Sequence, residues 1–465
     1  MKNDKSEQYA KMTQTPVSKL IITLSVPSII TMLINNIYNL VDTAFVGRLG
    51  TSASGAVGVV FGFMSIIQAF GFMFGQGAGS ILSRALGAGD REKASDHASA
   101  GFYYSMLCGI ILCVLGFLFL DDIVVILGST PTIAPYAKTY IAYILIAAPF
   151  MSSSLSLNNV LRYEGKANLG MIGMMTGAVL NMIGDPIFMF GLNMGINGAG
   201  LSTAIGQFVS WAILFAMFKL GKSETQISVK RALHAGRRSV LNIMATGMPS
   251  LIRQGLNSIT TVLLNSRCAL YGDAAVAAMS IVSRIFFFAF SIAIGVGQGF
   301  QPVSAFNYGA RKYSRVRRGY VFTTAVSQGV ITVASVILLL FSGGMIAVFR
   351  NDPEVIEIGT RALRLQAVAS LFLAPCVTTE MLLQSTGRRS EASILSAARN
   401  GLFFIPALII LTALRGLSGI QEAQPISTVL SLPLAVPFAI SFFKSLPKTD
   451  GDEPGKTEEN EAKAE

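Results

Sequence analysis

Apolar residues along this chain run in blocks of about 20, the length needed to cross the hydrocarbon of a bilayer as a helix. Twelve such blocks recur, at 20–46, 51–80, 98–120, 137–161, 168–192, 198–218, 240–268, 274–303, 319–348, 361–384, 392–414 and 423–446. Short polar stretches separate them. The pattern predicts an all-α integral membrane protein with twelve transmembrane helices.

The chain also repeats. Shifted by 222 residues, the register from Pro27 to Ala88 needs no gap. Pro27-Ser28 meets Pro249-Ser250, Asn35 meets Asn257, and Gly75-Gln76-Gly77 meets Gly297-Gln298-Gly299. Gly87-Ala88 meets Gly309-Ala310. Each half holds six spans, so both halves share one orientation about an axis along the membrane normal. The expected layout is a tail at 1–19, an N-lobe at 20–218, a basic linker at 219–239, a C-lobe at 240–446 and an acidic tail at 447–465. Two pseudo-symmetric six-helix bundles around a central cleft are the architecture of alternating access.

Charge fixes the expected orientation. Loops after even-numbered spans hold 19 Lys and Arg, counting Arg162 and Arg399, against 7 on the other side. Basic loops stay cytoplasmic, so the even side and both termini are expected there. The net charge of +11 therefore belongs to loops and does not imply nucleic acid. Charged residues make up 13% of the 465, hydrophobic ones 52%, and mean hydropathy is +0.58. Too few charges remain to cover a soluble enzyme. No cleavable signal is read in the polar first 19 residues. Cys108, Cys113, Cys268 and Cys376 lie in apolar stretches and make no metal-ligand spacing; His97 and His234 fall in polar loops. Gly221-Lys222-Ser223 lacks the first glycine of a phosphate-binding loop, since position 216 is Ala. With no ATPase motif, uphill transport needs an ion gradient.

Three acids fall deep in apolar spans: Asp42, Asp185 and Glu380. Carboxylates are expensive in hydrocarbon and mark functional sites there. Asn35, Asn39 and Asp42 are spaced i, i+4, i+7 and share a helix face. They serve either a polar network holding span 1 or a water-filled cavity. Asp185 follows Asn181 by four residues and precedes Pro186, which suits a helix cap or an ion site. Such a pair of acids can hold a proton or share a cation with amide oxygens. Their counterparts in the second half are Leu264 and Ala407, so the acidic site belongs to the first half alone. In the second half, Arg253, Arg284 and Glu380 form either a buried salt bridge or a substrate-facing or second coupling site, and Gln384 follows Glu380 by four. Pro27 interrupts span 1 as a static kink or as a hinge for the helix that carries Asp42.

Gly297-Gln298-Gly299-Phe300-Gln301-Pro302, followed by Asn307-Tyr308-Gly309-Ala310-Arg311 and Arg315-Val316, resembles a signature of the multidrug and toxic compound extrusion (MATE) family. Val41 to Gly47, Leu161-Arg162-Tyr163-Glu164-Gly165 and Asn181 to Pro186 are similar to that family as well, and the bacterial MepA-like branch is the nearest in pattern. The resemblance implies an exporter of organic cations and drugs driven by inward protons or sodium. It implies a cation site at Asp42, Asn181 and Asp185, with Thr203 as a fourth ligand, and a hinge at Pro27. Any bound metal is Na+ at Asp42, Asn181 and Asp185. Another branch carries a glutamate in span 7, where this chain reads Leu251-Ile252-Arg253-Gln254-Gly255, so a C-lobe sodium site of that kind is not expected. The expected partners are small organic cations and the bilayer, with no cofactor, no enzyme chemistry, and a monomer in the bacterial plasma membrane (the inner one if Gram-negative). Three rivals remain: a lipid-linked sugar flippase gripping phosphate through Arg253 and Arg284, a membrane transferase, for which no nucleophile or metal motif is visible, and a channel.

Overall fold

The computed structural model describes residues 2–447 and 449–451. The first half runs α1 (Lys2–Gln14), α2 (Val17–Gly47), α3 (Thr51–Gly87), α4 (Arg91–Leu118), α5 (Leu120–Ile126), α6 (Ala134–Tyr163), α7 (Ala167–Pro186) and α8 (Ile196–Lys219). A short α9 (Val229–His234) precedes α10 (Gly236–Ala269), α11 (Asp273–Gly309), α12 (Tyr313–Phe349), α13 (Pro353–Ser370) and α14 (Leu373–Thr386). The chain then forms α15 (Arg389–Ala397), α16 (Phe404–Arg415) and α17 (Leu417–Ser445). Among the described residues, ten helical runs are long and apolar enough to span a membrane. The α13–α14 pair, bent by 57°, makes an eleventh. The twelfth is α10, 34 residues long, whose apolar average is lowered by polar side chains such as Arg253, Gln254 and Asn257.

Helices α2 to α8 pack among themselves, as do α10 to α17. The two lobes meet where α3 lies on α10 and α11 lies on α2 and α3. Glycine allows that approach. A methyl on Gly77 would strike the Ile243 carbonyl oxygen of α10, and one on Gly247 would strike the Met73 carbonyl of α3. The symmetric contact is Gly299 of α11 against Ser25 of α2, where an added Cβ lies 2.6 Å from the Ser25 amide nitrogen. Ser25 is the counterpart of Gly247 at the 222-residue shift. Gly87 meets the Phe306 carbonyl and Gly309 meets the Arg84 carbonyl in the same reciprocal way. The internal repeat of the sequence is thus the two-fold symmetry of the lobe interface.

Polar side chains finish this seal. Ser250 Oγ donates to Gln76 Oε1 (2.6 Å) and accepts from Gln384 Nε2 (2.7 Å). Ser80 Oγ donates to the carbonyls of Gln384 (3.0 Å) and Ser385 (2.9 Å), and Arg84 Nη1 to that of Thr386 (3.1 Å). All these contacts lie at the end of the bundle that carries the Lys- and Arg-rich turns. Gly255, two turns further along α10, meets nothing within 4 Å. The tight contact of the lobes is not continued at that level of α10.

The region expected as an N-terminal tail contains a helix. Helix α1 lies against both lobes at the sealed end: Gln8 Nε2 donates to the Glu164 carbonyl (2.5 Å), and Asn307 Nδ2 to that of Met12 (3.1 Å). The linker is folded onto the N-lobe. The buried Glu164 carboxylate accepts from Ser223 Oγ (2.8 Å), from the amides of Glu224 (2.9 Å) and Thr225 (3.1 Å), and from Thr225 Oγ1. Lys166 Nζ pairs with Glu224 at 2.7 Å and Arg231 with Asp96 at 3.2 Å. Gly236 then turns the chain into α10 with φ +69°. Most of the acidic tail expected at 447–465 lies outside the described residues.

Gly247→Val forces side chain into backbone across the seal. Overpacking of this kind costs about 1–3 kcal/mol. It is expected to lower the melting temperature and to speed maleimide labelling of a cysteine placed at Ser80; labelling at the wild-type rate would count against a tight seal there. Glu164→Ala strands the amides of Glu224 and Thr225, at about 1–3 kcal/mol each. Limited trypsin digestion should then cut the linker at Lys222 or Lys230 faster than in the wild type.

Candidate functional site

Asp42 and Asp185 are brought together within the N-lobe. Asp42 is 6% exposed and Asp185 fully buried. Their carboxyls are close enough to share a hydrogen bond. Oδ1 of each has no partner among the described residues. Asn181, with its amide turned to satisfy both ends, donates Nδ2 to Asp185 Oδ2 (3.2 Å) and accepts from the Thr203 backbone amide (2.9 Å). Ser202 Oγ closes the α7–α8 contact on the Asn181 carbonyl at 3.0 Å. That contact needs Gly184, where an added methyl lies 2.5 Å from Ser202 Oγ. Helix α7 then widens into a π turn at Ile187–Gly191 after Pro186, and no side chain caps the break. The capping reading of Asp185 therefore falls: the carboxyl points at Asp42 and not at a helix end.

Two tyrosines complete the cluster. Tyr38 and Tyr140 are buried and lie near both acids and Thr203. Tyr38 shares the Asp42 helix face at i, i+4 and was legible in the sequence on that spacing. Tyr140, from α6, left no such signal. Two carboxylates facing each other out of water repel unless a positive species lies between them. A proton or a small cation, held with the amide and hydroxyl oxygens of Asn181 and Thr203, meets that need.

Asn35 borders this cluster. It lines a cavity of about 30 Å³ together with Tyr38, Asn181, Thr203, Gln207 and Ser210. Asn39 is half-buried on the same helix. Pro27 is buried between Ser25 and Ile29, which pack on Gly299 and Gly295 of α11, and with Ser28 it also lines a cavity on another face of α2.

The second-half residues do not form one site. Arg253 Nη1 pairs with Glu380 Oε1 at 2.7 Å, and Ser396 Oγ donates to the same oxygen at 2.5 Å. Arg253 and Glu380 thus meet as an ion pair. Gln384 is fully buried in the seal between the lobes and lines neither described cavity. Arg284 lies exposed on α11, apart from that pair. Three residues placed in loops from the sequence are inside helices. Arg162 ends α6 at 4% exposure, Arg399 sits in a π turn at Ala398–Leu402 at 9%, and His97 is buried in α4 with Nδ1 2.7 Å from the Lys93 carbonyl. Removing the two arginines from the loop count leaves the basic excess on the same side.

A two-lobed helical bundle with a cleft sealed at one end and a buried polar site in one lobe defines a membrane transporter. The family model MatE matches residues 27–187 and 249–410, two stretches that begin 222 residues apart, and the chain belongs to that family of MATE transporters. The multidrug export protein MepA of Staphylococcus aureus (strain MSSA476) is 31% identical over 419 residues, 90% of this chain and 92% of that one. MepA of Staphylococcus haemolyticus (strain JCSC1435) is 29% identical with the same coverage. A multidrug resistance MATE family transporter solved in an outward-facing conformation shares the fold, with TM-score 0.89, 23% identity, and 95% and 99% of the two chains covered. So does a MOP superfamily transporter from Pyrococcus furiosus, with the same TM-score, identity and coverage. The chain is a multi-pass protein of the bacterial plasma membrane.

Replacing one acid of the facing pair by its amide removes the repulsion and keeps the shape. Asp185→Asn is expected to melt no lower than the wild type, while any stabilisation by added Na+ or by acidification disappears. Strong destabilisation of the variant would mark the pair as structural.

Proposed function

We propose that the chain exports organic cations in exchange for protons or sodium by alternating access. The observation that carries this reading is the facing pair Asp42 and Asp185, buried in one lobe only. The basic, sealed end is cytoplasmic by the excess of Lys and Arg, which puts both termini there and faces the cleft outward. An ion entering from outside neutralises the two acids, and Asn181 and Thr203 supply its oxygen ligands. Neutralisation removes the charge that held the organic cation. Helix α2 bends at Pro27, which lacks the backbone N–H of a normal turn, and the cation leaves outward. The lobes then part at the Gly77–Gly247 seal and close at the other end, so the ion is released inside. The chain works as a monomer, since each copy contains both lobes and the whole cleft. The names of the staphylococcal relatives support export of several drugs.

The test is reconstitution into liposomes with a fluorescent organic cation, under a proton gradient and then a sodium gradient. Wild type should move the dye under one of them, which names the ion, and Asp42→Asn should not while still inserting and melting cooperatively. Full efflux by Asp42→Asn would sink the assignment. Movement of an anionic lipid with no dye transport would favour the flippase.

A further inference from the structure

The exchange described above leaves Arg162 without a role. The residue is 4% exposed, near the sealed end of α6. Nη2 donates to Asn159 Oδ1 at 2.5 Å, but Nε and Nη1 have no partner among the described residues. A guanidinium out of water with two unpartnered nitrogens is costly unless an acceptor reaches it. Arg162 lines a cavity of about 50 Å³ that it shares with Thr31, Asn35, Asn158, Asn159 and Gln298. No Asp or Glu is among the described residues that line it.

The surroundings add positive charge. The Arg253 guanidinium lies within electrostatic reach of Arg162 across the lobe interface. Arg253 already has its counter-ion in Glu380, and Arg399 lies within electrostatic reach of the same carboxylate. The volume exceeds that of a single water and suits a carboxylate or another small oxyanion, not a whole drug. The cavity also runs past Pro27 and Ser28 on α2 and shares Asn35 with the smaller cavity beside the acid pair. A group held by Arg162 would therefore touch the helix that carries Asp42.

We infer that Arg162, with Asn158, Asn159 and Gln298, forms an anion site for a small oxyanion. Its source is the carboxylate of a zwitterionic substrate, which rests on the exporter reading, or a free anion of the same chemistry. Arginine suits this task because its planar fork presents two parallel donors to a carboxylate.

The experiment uses purified full-length protein in detergent, as wild type, Arg162→Gln and Arg162→Lys. Fluorescence anisotropy measures binding of a rhodamine that carries a free carboxylic acid and of its ethyl ester, which lacks the negative charge. In parallel, the melting temperature is read in acetate or phosphate against chloride at constant ionic strength. A substrate carboxylate predicts that Arg162→Gln weakens the acid dye about tenfold or more, the size of a lost charge-assisted bond, while the ester changes less than twofold and Arg162→Lys falls between. A free anion predicts unchanged dye affinities and an oxyanion-specific rise in melting temperature that Arg162→Gln abolishes. Equal weakening of both dyes, or no response to dye charge or anion, overturns the site. Should Arg162→Gln fail to purify as a single species, Arg162→Lys and the wild-type anion series decide. If wild type binds neither dye, the exporter reading fails, and the melting series still judges the anion site by itself.

Discussion

The lobes of this protein touch backbone to backbone, and that contact shapes everything else. Inside a bilayer no hydrophobic force pulls helices together, so close packing and interhelical hydrogen bonds must do it. Gly77 on Gly247 and Gly299 on Ser25 are the same contact made twice, once by each half. Ser250, Gln76, Gln384 and Ser80 add hydrogen bonds that the hydrocarbon cannot replace. The small residues, serines and amides let the helices approach closely, and Met73 and Ile243 on one side and Leu24 and Phe300 on the other are buried beside them. These contacts shut one end.

The halves share a fold but divide the charge. The N-lobe keeps two acids against each other, without a basic partner in hydrogen-bond contact among the described residues. The C-lobe keeps an acid in a salt bridge. A satisfied pair is quiet, whereas a facing pair of carboxylates waits for a cation. Helix α2 connects the two regimes: its first turns belong to the seal with α11, its last turns carry Asp42, and Pro27 lies between them. A change in charge at one end of α2 is thereby placed to act on packing at the other.

How much of this was legible depends on the range of the interaction. Twelve spans were visible because each must satisfy its own backbone inside lipid and so leaves an unbroken apolar run. Asp42 with Asn35, and Asp185 with Asn181, were visible because helical spacing is local. Arg162 was read as a loop charge because a charge at the edge of an apolar block is normally outside it. Packing put it inside, and Arg399, counted with the loop although it falls within the block 392–414, is inside as well. Gln384 looked like a cavity residue by its spacing from Glu380, yet it is buried between the lobes. Tyr140 had no mark in the sequence, since its neighbours at the acid pair come from three other helices.

The sequence by itself determined the membrane class, the twofold repeat, the basic end and the confinement of the acidic pair to the first half. These follow from composition, period and spacing, which are properties of single helices. Only the tertiary structure decided which polar groups meet. It set Asp42 against Asp185, joined Arg253 to Glu380, moved Gln384 into the seal and left Arg162 with unused donors. Such meetings depend on how closely helices approach and at what height. That is fixed by contacts between helices, such as Gly184 on Ser202 within the N-lobe and Gly77 on Gly247 between the lobes, which no single helix encodes.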